Sequence, residues 1–360
     1  MPSGRTLVGS GRGSPRRFGA SPYVTYREFK LRQKNELAFL TVAHSSQEPN
    51  PVGHVYCRLL WVKHSDRHFH FSPHVAMLKT IPVINNKGGV GKTTTAVNVA
   101  AGLARRGRKT LLVDLDSQGS ASVSLGAGHD DLKPSSAEVL FGETPIEQAI
   151  RSTNREKVDL VTGSLDLANA DVRLKQKKNG QNRLREVLDS VKERYQTIIV
   201  DCAPSTSILS VNALVAADAF IVPVAPSYLA LEGIVSLGKT VRRVRRGIGE
   251  AAPILGVLLT MVKREQEEVP NAIEEVRKHY GGKVFDTEIR SDPKLEEAPS
   301  QGQDIFRYAP DSQGAADYDH VIDEVEERLQ RYGSVYGELT NRGLNGKRTS
   351  SNGVARASKK

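Results

Sequence analysis

The chain has 360 residues, 38% of them hydrophobic and 26% charged, and a formal net charge of +10. That length can bury a substantial core and leaves room for two domains, while no apolar run is long enough to span a membrane and no apolar leader follows the first methionine. Two cysteines, Cys57 and Cys202, exclude a disulfide framework and suit a reducing cytosol.

The positive charge is concentrated at the ends. Residues 1–76 carry 11 Lys/Arg against 4 Asp/Glu, and residues 334–360 carry 6 against 1. Residues 77–333 are thereby left at −2, so any nucleic-acid binding by the middle of the chain must rest on a local patch. The first 76 residues open on a Gly/Ser/Arg/Pro-rich stretch that cannot bury enough apolar surface to fold alone. They also hold His44, His54, His64, His68, His70 and His74, and the only tryptophan, Trp61. The last four of these histidines lack interleaved acidic or cysteine ligands at a zinc-like spacing, and no helix-turn-helix pattern is present. Residues 1–76 are therefore expected to be a poorly ordered basic extension, with Met77 as the natural start of the folded unit.

From Met77 onward, apolar runs alternate with helical stretches. Strands are expected at Ile81–Ile84, Thr110–Val113, Val158–Val161, Thr197–Val200, Phe220–Val224, Ile254–Thr260 and Val284–Ile289. Helices are expected over 94–106, 183–195, 229–246, 272–280 and 315–331. Near-continuous apolar strands separated by helices imply an α/β fold, a doubly wound and mostly parallel sheet with helices on both faces. After Gly333 the composition turns to Gly, Ser, Asn and Lys, the signature of a disordered basic tail.

Between the first strand and first helix lies Lys87-Gly88-Gly89-Val90-Gly91-Lys92-Thr93-Thr94. Glycines there let the backbone wrap a polyphosphate, amide N–H groups point inward, and the helix N-terminus adds partial positive charge. Lys92 is suited to the β- and γ-phosphates and the Thr93 hydroxyl to Mg²⁺. The strict phosphate-loop pattern fails by one residue, because its first glycine falls at Asn86, and a second lysine, Lys87, follows directly. This segment resembles the deviant Walker A motif of the ParA/MinD family of P-loop NTPases. The resemblance implies an ATP- and Mg²⁺-dependent ATPase whose extra lysine, here Lys87, crosses a dimer interface to the partner's nucleotide. A cation delivered in trans would act as an arginine finger does.

Further segments carry the same resemblance. Asp114-Leu115-Asp116-Ser117-Gln118 is similar to the family's D-x-D-P-Q segment, with Ser117 in place of proline. It implies Asp116 beside the attacking water and Asp114 supporting the Mg²⁺ region. The strand ending at Asp201 delivers one carboxylate at its tip, where it can hold an Mg²⁺-bound water. Cys202 beside it reads as a small buried filler. Residues 287–300 resemble the region that flanks the purine base, which assigns Asp292 to nucleotide binding. Arg290 and Asp292 depart there from the family's usual proline and asparagine.

The helix containing Arg242, Arg243, Arg245 and Arg246 places four arginines in five residues, a phosphate-tracking pattern that Lys263 and Arg264 extend. With the resemblance, this implies a partition ATPase: an ATP-dependent homodimer binding nonspecific DNA, released through hydrolysis stimulated by a ParB-like centromere-binding partner, cytoplasmic and nucleoid-associated. A MinD-like membrane-positioning ATPase is the alternative, but the basic end of the chain lacks the apolar residues of an amphipathic membrane helix. An iron–sulfur carrier of similar fold would need paired cysteines, which two widely separated ones do not supply.

Overall fold

The computed structural model describes residues 25–29, 39–43, 79–128, 130–204, 207–227, 230–248 and 252–345. The chain forms two compact units, residues 1–73 and 74–360. In the first, β1 (Thr25–Phe29) pairs antiparallel with β2 (Phe39–Ala43), Phe29 opposite Phe39. The sequence reading did not anticipate this pair, although its Thr, Tyr, Phe and Val content favours strand. His44, His54, His64, His68, His70, His74, Trp61 and Met77 lie outside the described residues.

The second unit is built on a seven-stranded sheet. Its strands are β3 (Thr80–Val83), β4 (Thr110–Leu115), β5 (Ile150–Ser152), β6 (Val158–Val161), β7 (Thr197–Cys202), β8 (Phe220–Val224) and β9 (Ile254–Leu259). They lie in the order β5-β6-β4-β7-β3-β8-β9, all parallel except the edge pair β5–β6. Every residue of β3, β4, β7 and β8 is buried, which is why these strands read as unbroken apolar runs.

Helices cover both faces. They are α1 (Lys92–Arg105), α2 (Ser120–Ser124), α3 (Ser136–Phe141), α4 (Ile146–Ala149), α5 (Ala170–Lys175) and α6 (Arg183–Asp189), followed by α7 (Ile208–Ala216), α8 (Ala230–Ile248), α9 (Val269–Tyr280), α10 (Pro293–Glu297), α11 (Ile305–Tyr308) and α12 (Gln313–Asn345). One core packs α1 and α12 against the sheet through Val99, Leu103, Val321 and Ile322. The other packs α3, α5, α6, α7, α8 and α9 through Leu140, Leu174, Leu188, Leu214, Val244 and Ile273.

Three expectations are corrected. Residues 284–289 run beside β9 without forming a strand, joined by isolated bridges Val257–Val284 and Val262–Arg290. The N–H groups of Asp286 and Thr287 instead donate to the Glu324 carboxylate on α12 (2.9 and 2.7 Å), so they cannot serve a ladder. The helix expected over 183–195 stops at Asp189, where Val191 N donates to Leu188 O and the chain tightens into a 3₁₀ turn at 192–194. The helix expected to end at Arg331 runs on through Gly333 to Asn345, a span holding no proline to stop it. Residues beyond it lie outside the described set.

Candidate active site

The glycine-rich loop leaves the tip of β3, one of the two middle strands of the parallel set, and enters α1 at Lys92. Gly89 (φ 67°) and Gly91 (φ 73°) occupy the left-handed region, which explains two of its three glycines. Gly88 does not; it faces solvent, and a Cβ there would meet only Pro204 Cβ at 3.9 Å. The loop is pinned from behind by buried Asn85, whose amide donates to Pro223 O (2.8 Å) while its Oδ1 accepts Lys87 N–H (3.1 Å). These bonds fix the path of the loop between β3 and α1.

Lys92 is buried and its Nζ donates to Lys87 O (2.9 Å), strutting the loop open. Burial lowers its pKa, and the Asp201 carboxylate opposes that shift. Lys87 is half-buried, and its Nζ donates to Ser227 Oγ (3.3 Å) with no carboxylate partner among the described residues. The two lysines that frame the loop therefore differ: one is a fixed internal strut, the other rests on a neutral hydroxyl.

Thr93 Oγ1 donates to Asp201 Oδ2 (2.8 Å), joining the first turn of α1 to the tip of β7. Asp201 Oδ1 is buried without a hydrogen-bond partner. Burial, and then the neighbouring Asp114, push this carboxyl well above the usual carboxylate range. A threonine hydroxyl against a buried carboxylate with one unsatisfied oxygen fits a hard divalent cation or its bound water. No group of three or more His, Cys, Asp or Glu side chains suited to a metal occurs among the described residues, so such a cation would depend on ligand phosphates and water as well. Cys202 is buried beside Asp201, with its thiol toward Val200 O (3.8 Å) and its pKa raised by that burial, as expected of a filler.

Asp114 in β4 and Asp116 just past it divide their duties. Asp114 Oδ2 accepts from Ser122 N (2.9 Å) and Oγ (2.7 Å), while Oδ1 accepts from Asp116 N (3.0 Å). Burial raises its carboxyl to about 6. Asp114 thereby also brackets the turn around Asp116. Asp116 is half-buried, its Oδ1 accepting Gln118 N–H (3.0 Å). Sequence reasoning missed Gly163, just past β6: a Cβ there would collide with the Asp116 carbonyl oxygen and lie 2.9 Å from Asp114 Cγ. A glycine directly after an apolar strand is the available signal for such close approach. Ser122 and Ser227 were missed too, and single serines in loops carry no comparable signal.

Residues 287–300 are pinned by carboxylates. Asp292 Oδ1 accepts Lys294 N (2.9 Å) and Oδ2 accepts Gly314 N (2.7 Å), so one carboxylate caps both α10 and the start of α12. It thereby shapes the segment. Arg290 is clamped by buried Asp317, through Nε (3.1 Å), Nη2 (2.5 Å) and its own backbone N (2.9 Å).

On α8, Arg242, Arg243, Arg245 and Arg246 are all exposed, while Leu237, Thr240 and Val244 face the core. The patch thus exists as a surface. Lys263 is exposed, but Arg264 is held by Glu288 (3.1 and 2.8 Å), which Arg277 also contacts. Arg264 therefore extends the patch less than its sequence position suggests.

Comparison with known proteins agrees with this geometry. A family model described as an AAA domain matches residues 78–252. The sporulation initiation inhibitor protein Soj of Bacillus subtilis is 40% identical over 249 residues, covering 69% of this chain and 98% of that one. The chromosome partitioning protein ParA of Caulobacter vibrioides is 36% identical over 253 residues, covering 70% and 95%. Among solved structures, cobyrinic acid a,c-diamide synthase of Mycobacterium smegmatis, crystallised with ADP and magnesium, superposes with a TM-score of 0.60 at 30% identity, covering 69% and 93%. Phosphate loop, strand-tip carboxylates, sheet order and these relatives converge: the chain belongs to the ParA/MinD family of partition ATPases.

Proposed function

We propose that this protein is a slow, switch-type ATPase that partitions plasmid or chromosomal DNA. The observation that carries the reading is Lys87, a second loop cation that rests on the neutral Ser227 hydroxyl and remains available to phosphate charge. Lys92 and the amides of residues 88–94 would hold the β- and γ-phosphates of ATP. Mg²⁺, resting on Thr93 and Asp201, would supply neutralisation of phosphate charge. Asp116, at the tip of β4, orients the attacking water and takes up its proton. Lys87 reaches the nucleotide of a second copy, so that hydrolysis and dimerisation are coupled. In the ATP-bound dimer the α8 arginines track the phosphates of DNA without reading sequence. A ParB-like centromere-binding partner stimulates hydrolysis and release. This reading implies a cytoplasmic, nucleoid-associated protein.

The test is equilibrium binding to nonspecific duplex DNA across salt, with ATP and with ADP, for wild type and for Arg242→Ala/Arg245→Ala. Wild type should bind with ATP and not with ADP. The double variant should bind more weakly on any sequence, its log K against log [salt] flattened by roughly 0.9 per lost phosphate contact. Equal affinity with either nucleotide would refute the switch. ATP-dependent binding to anionic liposomes in place of DNA would favour the MinD-like reading.

A further inference from the structure

The loop that carries the glycines also touches the arginine helix. Asn86 stands where the strict phosphate-loop pattern has its first glycine, and its amide Nδ2 donates to Ser236 Oγ on α8 (3.0 Å). Lys87, the next residue, donates to Ser227 Oγ (3.3 Å), three positions before α8 begins at Ala230. Residues 86 and 87 therefore reach the chain on both sides of the first turn of α8. The strands behind them are fixed: β3 pairs with β8 through Val83 and Ile221, and Asn85 donates to Pro223 O (2.8 Å).

Ser236 is half-buried and lies seven residues before exposed Arg243, two turns and roughly 10 Å along the helix. At about 3.6 residues per turn the two fall on nearly one line of α8. Leu237 and Val244 seat α8 on the core. Apolar burial is non-directional and tolerates a small rotation or slide, whereas a hydrogen bond weakens steeply once its angle or length departs from the optimum. The Asn86–Ser236 bond therefore sets the helix against the loop in a way its apolar seat does not. At the loop end, Lys92 Nζ donates to Lys87 O (2.9 Å), and phosphate oxygens that recruit this ammonium compete with that carbonyl. Direct contacts thus run from Lys92 through Lys87 and Asn86 to Ser236, and α8 carries them on to its arginines.

We infer that Asn86 and Ser236 are a positioning pair that ties the setting of α8 to phosphate held in the loop, and so makes DNA affinity depend on which nucleotide is bound. The inference rests on the proposed nucleotide site and DNA surface, and names the contact through which one reaches the other. Neither residue touches nucleotide or DNA in this role. Such a link is a coupling free energy and is reciprocal: if ATP strengthens DNA binding through it, DNA strengthens ATP binding by the same factor. One hydrogen bond to a half-buried hydroxyl is worth about a threefold to tenfold share of that factor.

The experiment measures equilibrium affinity for nonspecific duplex DNA with ATP and with ADP, and takes the ratio of the two. The variants are Ser236→Ala, which removes the hydroxyl and suits a helix, Ser236→Thr, which keeps it, and Asn86→Ala, which removes the amide from the other side. Ser236→Ala should melt no lower than wild type, bind ATP alone within about twofold, and show a ratio about threefold to tenfold closer to one. The factor by which DNA tightens ATP binding should shrink equally. Ser236→Thr should keep the wild-type ratio. Asn86→Ala should lower it as Ser236→Ala does, with no further loss in the double variant. A wild-type ratio that neither alanine variant changes overturns the pair alone. Equal weakening with ATP and ADP overturns it too, making Ser236 a support of α8. A wild-type ratio of one would refute the nucleotide switch itself and the pair with it.

Discussion

Asp116 follows β4 directly, and its position is set by backbone neighbours. Asp114 receives its N–H, Gly119 donates to its carbonyl (3.0 Å), and Gly163 leaves that carbonyl the space of a missing Cβ. Gly163→Ala should therefore displace Asp116 without touching Lys92 or Thr93. We expect turnover to fall at least tenfold with ATP affinity within about twofold of wild type, matching Asp116→Ala. Single-turnover hydrolysis beside equilibrium ATP binding measures this, and normal turnover in Gly163→Ala would show that Asp116 does not need its bracket. At this scale the sequence was legible where residue type dictates chemistry: lysines on glycines, a threonine after them, carboxylates at strand tips. It was silent where a residue acts by shape or as one hydrogen bond of many. Asp114 and Asp292 show the limit, because the backbone N–H groups each accepts leave no mark in the sequence.

The elements with a single strong period were readable from the chain alone. Strands buried on both faces, β6 and β8 among them, fall where their apolar runs fall, since a parallel sheet demands such runs. Legibility failed where a side chain on another element decides the outcome, as Glu324 does for residues 284–289. It also failed for β5, three residues at an antiparallel edge whose exposure weakens any pattern. The crossing of α1 and α12 could not be foreseen either. Arg106, just past α1, meets Asp319, Asp323 and Glu326 on α12, and Arg108 meets Glu326 (2.8 Å). At the closest point an added Cβ on Gly102 would lie 2.5 Å from Cγ1 and 2.8 Å from Cδ1 of Ile322, which is fully buried. Alanine has the better helix propensity, by roughly 1 kcal/mol. Overpacking a stiff β-branched neighbour costs about 1–3 kcal/mol, so the net effect of Gly102→Ala should be destabilising. A melting temperature lowered by a few degrees is expected, and a raised one would mean the two helices can separate freely.

At the scale of the whole molecule, the sheet gathers the loop after β3, Asp116 after β4 and Asp201 at the end of β7 on one edge, because neighbouring parallel strands end together. That much followed from strand order. What the chain does as an assembly is written less directly, since a surface prepared for a second copy has no partner within its own sequence. Gly88 gives access to it. It is exposed, its φ lies outside the left-handed region, and a Cβ there finds ordinary contact with Pro204 and nothing closer. Nothing among the described residues therefore requires glycine at this position, in contrast to Gly89 and Gly91. If a second copy closes over the phosphates with Lys87 crossing between them, the missing requirement is external: the facing backbone needs the room. Gly88→Val should then fold with an unchanged melting temperature and bind ATP within about threefold of wild type, because its own loop tolerates the side chain. It should remain a monomer by light scattering with ATP, and lose ATP-dependent DNA binding although every α8 arginine is intact. Loss of ATP affinity would place the constraint inside the subunit after all, and an ATP-dependent dimer of this variant would exclude a face-to-face closure over Gly88.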